Sequence, residues 1–306
     1  MPVETVMPLY TLSGSALTIR PARDAEARAC RMLLPDMFLV DQAPEALIAT
    51  VGRPGQPGML AGALGLGSVR LAPDGALPMQ VQVIPSLRRQ GIARALVDMA
   101  VQRCAGRTTV LRALRPVAAE GEAALFMAAT GFVRHDTIRH FETDTAAFHA
   151  MILSVRRRLE QTGRVPAQGR VLRLRDAPAA AVAELVSRHF PVTAAAVRAR
   201  LDPHTSHPYA LDESVAVLLA DRLVGALIFV WNGKVPIIEV RVVDPSMRGG
   251  WVNTLLLEEA TRSGMAAGSV RFRFFADERV ADTMSLARRA QAMPIGSELH
   301  FWRPIG

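Results

Sequence analysis

Apolar and polar positions alternate from Leu17 to Arg20, and the period then lengthens, so the first readable elements are a strand over 16–20 and an amphipathic helix over 24–34. Further apolar runs predict strands over 46–52, 59–69 and 77–84. Ile92, Ala95, Leu96, Met99 and Ala100 return to helical spacing and predict a helix over 92–104. A strand over 108–114, a helix over 120–130 and a strand over 132–143 complete the first half. The order then repeats, with strands near 171–175, 214–220, 223–231, 235–243 and 270–276. Antiparallel strands in the middle with helices inserted at each end indicate an α/β (α+β) class, each half a mixed, mostly antiparallel sheet flanked by helices.

The repetition is also written in residues. "PSLRRQGIARALVDMA" begins at Pro85 and "PSMRGGWVNTLLLEEA" at Pro245, 160 positions later, and each follows a strand-like run. "LTIRPARDAEARACRML" from Leu17 has a counterpart in "VLRLRDAPAAAVAELV" from Val171. A period this long excludes a solenoid and implies a duplicated domain. The expected boundaries are a first domain over 1–147, a helical connector over 148–169 and a second domain over 170–306. The connector's Arg156 to Arg158 run reads as a solvated face, and its Gly, Pro and Gln residues as a link.

The strand-to-helix junction at "VIPSLRRQGIARALV" carries the candidate chemistry. A helix N-terminus has unpaired N–H groups and the positive end of the helix dipole, which suit an anion. Gly91 and Ala93 leave room for a close approach, and Arg88, Arg89 and Arg94 surround it. A pyrophosphate fits such a loop; a glycine-capped turn with solvated arginines is the plainer alternative.

Composition narrows the field. A net charge of +8 favours polyanionic partners: nucleic acid, a coenzyme with several phosphates, or an acidic acyl-carrier protein. Aromatics are only 5% of residues, which argues against nucleic acid bound by base stacking. The single lysine, Lys234, lies outside any Gly-Lys-Ser/Thr, so a nucleotide P-loop is excluded. "GALGLGSV" has the wrong spacing for a dinucleotide loop and reads as a strand that needs close backbone approach. Cys30 and Cys104 lack metal-site spacing and read as buried thiols, so no metal is expected. The N-terminal residues do not read as a secretory signal and no apolar run reaches a membrane span, so a cytoplasmic location without membrane contact is the expectation.

Val81, Val83, Pro85, Arg88, Gly91, Ala93 and Leu96 together resemble the coenzyme A signature of the GCN5-related N-acetyltransferases, and "ALFMAATGFVRHDTIRHFETD" resembles that family's closing helix, Gly-Phe turn and last strands. The resemblance covers the first half. It implies that the loop from Arg88 through Arg89, Gln90, Gly91, Ile92 and Ala93 to Arg94 holds the pyrophosphate of acetyl-CoA, and that Val81, Gln82 and Val83 pair with its pantetheine. It further implies acetyl transfer by direct attack of a primary amine, borne by a small molecule or a peptide. Two of the family's proton-handling positions are altered. The fourth strand offers Gln80 and Gln82 and no carboxylate, and Met127 stands where many members carry a tyrosine. His135, His140 and, in the second half, Glu239 are the candidate replacements, with "DPHTSHPY" (His204, His207, Tyr209) a substrate-shaping loop. The second half has Trp251 at the place of Gly91 and Asn253 at that of Ala93, so an indole is expected to fill the phosphate space there. The altered positions leave a non-catalytic acyl-CoA-binding protein as the rival reading, and an acyltransferase fed by a carrier protein as another.

Overall fold

The first alternation, Leu17 and Ile19 inward with Thr18 and Arg20 less buried, forms a strand paired on both sides in the computed structural model, which describes residues 5–7, 15–53, 58–68, 75–247 and 250–305. The chain divides into two compact units. One comprises Met1–His135, Pro191–Thr193 and Leu299–Gly306, the other Asp136–Phe190 and Ala194–Glu298. The N-terminal stretch read for a signal lies outside the described residues apart from 5–7, as does Val69 at the end of the expected 59–69 strand.

In the first unit, β1 (Thr5–Met7), β2 (Ala16–Pro21), β3 (Glu45–Gly52), β4 (Met59–Leu66) and β5 (Ala76–Val83) pair antiparallel in that order. β6 (Val110–Ala113) then joins β5 in parallel. Successive residues of β3 face opposite cores, as strand geometry requires. Leu47 and Ala49 meet α3 (Ile92–Cys104), whereas Ile48 meets Cys30, Leu34 and Met37 of the opposite layer. That layer is α1 (Ala27–Leu33), which lies within the helix expected over 24–34, and α2 (Pro35–Val40), a separate helix that was not expected. Pro35 forces the separation, because the residue before a proline is held out of the helical region, and Leu34 has φ −122°, ψ 50°. A two-residue strand β7 (Val117–Ala118) and α4 (Glu122–Ala129) follow. Gly62 and Gly65 of β4 are the close approaches read from "GALGLGSV": a Cβ on Gly62 would lie 2.7 Å from the Gln82 carbonyl oxygen, and one on Gly65 3.0 Å from Met37 Cγ. Burial pushes both cysteine thiols up from their ordinary pKa, as expected of packed thiols.

The second unit contains most of β8 (Val133–Asp144), then α5 (Thr145–Gln161), β9 (Gly169–Arg173), α6 (Ala179–His189), α7 (Ala194–Arg200), β10 (Val215–Leu219), β11 (Arg222–Asn232), β12 (Val235–Val243), α8 (Trp251–Ala266), β13 (Arg271–Asp277) and α9 (Ala281–Arg289). β9 to β12 pair antiparallel in order, and β12 and β13 are parallel. Both Pro-Ser-apolar tripeptides of the repeat, Pro85–Leu87 and Pro245–Met247, form a single 3-10 turn between strand and helix.

The division differs from a boundary at 147 and a connector over 148–169. Residues 138–144 pair antiparallel with β13, and α5 packs on α8. Asp144 caps α5 by accepting from the Ala147 N–H at 2.8 Å. Arg156, expected in solvent, bonds Glu258 at 2.7 Å as well as Glu160 at 2.8 Å. Conversely, residues 302–304 of the last strand, β14 (Met293–Pro304), pair antiparallel with Arg112, Leu111 and Val110 of the first unit. Leu299 and Phe301 lie buried in that unit's core.

Glu142 locks β8 to β13 by accepting from Arg271 and Arg273, each at 2.9 Å. The Arg273 and Arg271 hydrogen bonds hold its carboxyl below the ordinary glutamate value. A depressed folded-state value means that this stabilisation is complete above the unfolded value and is lost as pH falls through the folded one. Glu142→Gln is therefore expected to lower the melting temperature at neutral pH, with the difference from wild type shrinking below the ordinary glutamate value. A difference that persists unchanged at acid pH counts against the ion pair as the cause.

Candidate functional site

The site grows from the place where two parallel strands part. β5 and β6 are paired from Ala76 opposite Val110 to Met79 opposite Ala113, and the Leu114 N–H closes the run on the Met79 carbonyl at 2.8 Å. β6 ends there, but β5 continues to Val83, held on its other side by β4. The Pro78 carbonyl accepts from the Gly67 N–H and the Ile84 N–H donates to the Ala61 carbonyl, both toward β4. Alternation along the strand then turns the N–H and C=O of Val81 to the opened side. The Val83 carbonyl on that side is taken by Arg88 Nε at 3.2 Å.

Above the opening, Gly91 caps α3 with φ +81°, and Arg89 also adopts a left-handed φ of +64°. The Ala95 N–H donates to the Gly91 carbonyl at 3.0 Å, so the N–H groups of Ile92, Ala93 and Arg94 precede the first helical bond. Ile92, Leu96, Val97, Met99, Ala100 and Cys104 pin the other side of α3 to the core. The N-terminus is thus presented by a helix that cannot turn.

These elements enclose a cavity of about 760 Å³ in the first unit. Val81, Gln82, Val83, Arg88, Arg89, Gly91, Ile92, Ala93 and Arg94, all predicted for the coenzyme, line it. Gln90 does not; its Oε1 is buried without a hydrogen-bond partner. Arg89 pairs in solvent with Glu122 at 2.5 Å, and Arg94 bonds the Ala129 carbonyl at 3.1 Å.

Three charged lining residues are not marked by the sequence: Asp36, Arg115 and Glu122. Asp36 opens α2, a helix too short and too apolar to show its own period. Gln80 Oε1 accepts from the Met37 N–H at 2.8 Å, and its Nε2 donates to Asp36 Oδ2 at 3.3 Å. Arg115 Nη2 reaches Asp36 Oδ1 at 3.3 Å. The signal available in sequence was the pair Pro35-Asp36, a proline at a helix start followed by an acid.

No protein-family model matches the chain, and no curated protein matches it. Solved structures do. A tandem GNAT protein from the clavulanic acid biosynthesis pathway superimposes with TM-score 0.55 at 19% identity, over 95% of this chain and 99% of that one. A GCN5-related N-acetyltransferase from Sphaerobacter thermophilus gives 0.51 at 17% over 94% and 96%, and one from Anabaena variabilis 0.58 at 12% over 95% and 73%. The chain has the fold of the GCN5-related N-acetyltransferases.

In the second unit this acetyltransferase fold encloses a different interior. β12 and β13 pair only at Ile237 and Ile238, and the space beyond is a cavity of about 290 Å³ lined by Phe148, Phe272, Phe274 and Phe275 among others. Arg241, at the position of Val81, bridges it by donating to Asn253 at 3.0 Å and to Thr283 at 2.8 Å. Burial lowers its pKa. The Trp251 indole, expected in the phosphate space, instead packs into the core over Gly169, where an added Cβ would lie 2.8 Å from its ring. Residues 248 and 249 of this loop lie outside the described residues. The narrowing comes from Arg241 and the phenylalanines.

None of the three proton-transfer candidates lines the larger cavity. His135 packs edge-on to Trp302, with ring centroids 3.5 Å apart. His140 bonds Glu298 at 3.0 Å and meets the Phe275 ring. Both Glu239 oxygens are held by Arg200, one of them at 2.9 Å. The same guanidinium lies 4.0 Å from the centre of the Tyr209 ring and bonds the His207 carbonyl at 3.0 Å, so the "DPHTSHPY" segment is stapled to this ion pair. Burial pushes the Tyr209 hydroxyl up to about 12. Among the described residues, no group of His, Cys, Asp and Glu is arranged to hold a metal ion, and no helix is long and apolar enough to cross a membrane.

Proposed function

We propose that the chain transfers an acetyl group from acetyl-CoA to a primary amine, with the coenzyme in the cavity of the first unit. The observation that carries this reading is the continuity of that cavity from the parted edge of β5 to the N-terminus of α3. The donor set fits the group. Free N–H groups at Ile92, Ala93 and Arg94, with Arg88 and Arg89 beside them, suit phosphates, and Val81 offers an N–H and a C=O spaced for an amide-bearing chain. Acetyl-CoA supplies a thioester; on attack a C–N bond forms, the C–S bond breaks, and the sulfur leaves as a thiol.

Val81 and its neighbours on β5 fix the donor's position, and α3 anchors its charged end. Holding both reactants in one orientation supplies much of the acceleration such a transfer needs. Leu125, Phe126 and Met127 of α4 provide an apolar wall against water.

Isothermal calorimetry with acetyl-CoA is expected to show one site per chain, followed by thiol release when an amine acceptor is added. Absence of binding overturns the reading. Binding with no thiol release across a broad amine panel favours the non-catalytic acyl-CoA-binding alternative.

A further inference from the structure

The cavity carries charge of both signs where the strands part. Of its two acidic lining residues, Glu122 is engaged by Arg89 of the loop, while Asp36 stands beside Gln80, the neighbour of Val81. Gln80 spends both ends of its amide on this placement: its oxygen holds the Met37 N–H and its nitrogen holds the Asp36 carboxylate. The carboxylate is therefore aimed while it remains partly exposed, at 39% of its side-chain surface. Each of its oxygens has one partner and keeps lone pairs for another. Arg115 is held more loosely. Its 3.3 Å contact exceeds the usual ~2.7–2.9 Å of a charge-assisted pair, and Asp36 is its one hydrogen-bond partner among the described residues. Most of the guanidinium's donors are therefore free to take a ligand carboxylate.

A carboxylate and a guanidinium this close, both lining the cavity and neither saturated, match a ligand with an ammonium and a carboxylate on one carbon. Resting on the reading of the first unit as an acetyl-CoA site, we propose that the acceptor is a free α-amino acid or a close analogue, its ammonium held by Asp36 and its carboxylate by Arg115. The amine nitrogen bonds to the acetyl carbon as the C–S bond breaks. Of the three ammonium protons, one stays on the new amide, one goes to the sulfur and one is released to solvent. Gln80 is a positioning residue: it orients Asp36, and through Met37 it fixes the start of α2.

The test uses steady-state kinetics of the full chain with acetyl-CoA, following thiol release with a panel of free L-amino acids and their α-carboxamides. The carboxamides keep the amine and lose the carboxylate, so their KM is expected to be about tenfold to a hundredfold higher, the value of one charge-assisted contact. Arg115→Gln should raise KM for the free acids to the carboxamide level and leave the carboxamides unchanged. Asp36→Asn should raise KM for both classes. In both variants the dissociation constant for acetyl-CoA, measured by calorimetry, should match wild type, which also reports an intact fold. Equal use of acids and carboxamides, an Arg115→Gln effect of the same size on both, or no turnover of any amino acid while acetyl-CoA binds overturns the proposal and leaves the coenzyme reading standing. Failure of wild type to bind acetyl-CoA removes both.

Discussion

Gly91→Trp is expected to weaken acetyl-CoA binding by at least about a hundredfold, or ~2.8 kcal/mol. Two physical effects add. Gly91 sits at φ +81°, a region that an L side chain enters only at a cost of roughly 1–2 kcal/mol, so the loop relaxes away from its present course. The indole also enters the space in front of Ile92, Ala93 and Arg94, whose N–H groups precede the first helical bond. Phosphate hydrogen bonds to such groups are worth about 1.5–3 kcal/mol each, so losing two accounts for the predicted change. Gly91→Ala separates the effects, because it meets the same backbone constraint without the bulk; its binding should fall between the two. The readout is calorimetric titration of all three proteins, with thermal melts alongside. Near wild-type affinity in the tryptophan variant would place the coenzyme elsewhere.

Removing residues 299–306 is expected to abolish coenzyme binding although no residue lining the cavity is lost. Residues 302–304 pair with β6, and the Ile305 N–H extends the ladder to the Thr109 carbonyl at 2.8 Å. Leu299 and Phe301 are buried in the same core as Met79, Leu111 and Met127, and Arg303 reaches Asp98 at 3.4 Å. Without them β6 becomes an open edge and the wall that defines the parting from β5 is unsupported. The point variant Phe301→Ala tests the same idea more gently, with a loss of about 3–5 kcal/mol and a fall in melting temperature on the order of ten degrees. Acetyl-CoA titration and thermal melting are the measurements. A truncated chain that binds as wild type does would show that this segment is dispensable to the first unit.

Much of the scaffold was readable because its signals are local. The helix over 92–104 and the strand over 235–243 fall where their periods place them. So does the loop at Gly91, since a glycine at a left-handed position between strand and helix is a local requirement. What escaped was non-local. Nothing within "VRHDTIRHFETD" states which sheet it joins, because alternation fixes the faces of a strand and not its neighbour. Trp251 was misread for a related reason: sequence places an indole at a helix start, but its direction is set by the room over Gly169. Asp36 was missed because its meaning depends on Gln80 and Arg115, which lie 44 and 79 positions away.

The exchange of last strands also sets an order of events during synthesis. A growing chain that has emerged through His135 holds β1 to β6 and every lining residue of the cavity, but the strand that flanks β6 is still untranslated. At typical ribosomal speeds the remaining 171 residues, 136 to 306, require on the order of ten to thirty seconds. Throughout that interval β6 presents an unpaired edge, and the core that Leu299 and Phe301 will fill is incomplete. The first unit, made first, is thus finished last, and nascent chains stalled in the second half should depend on chaperones while they wait.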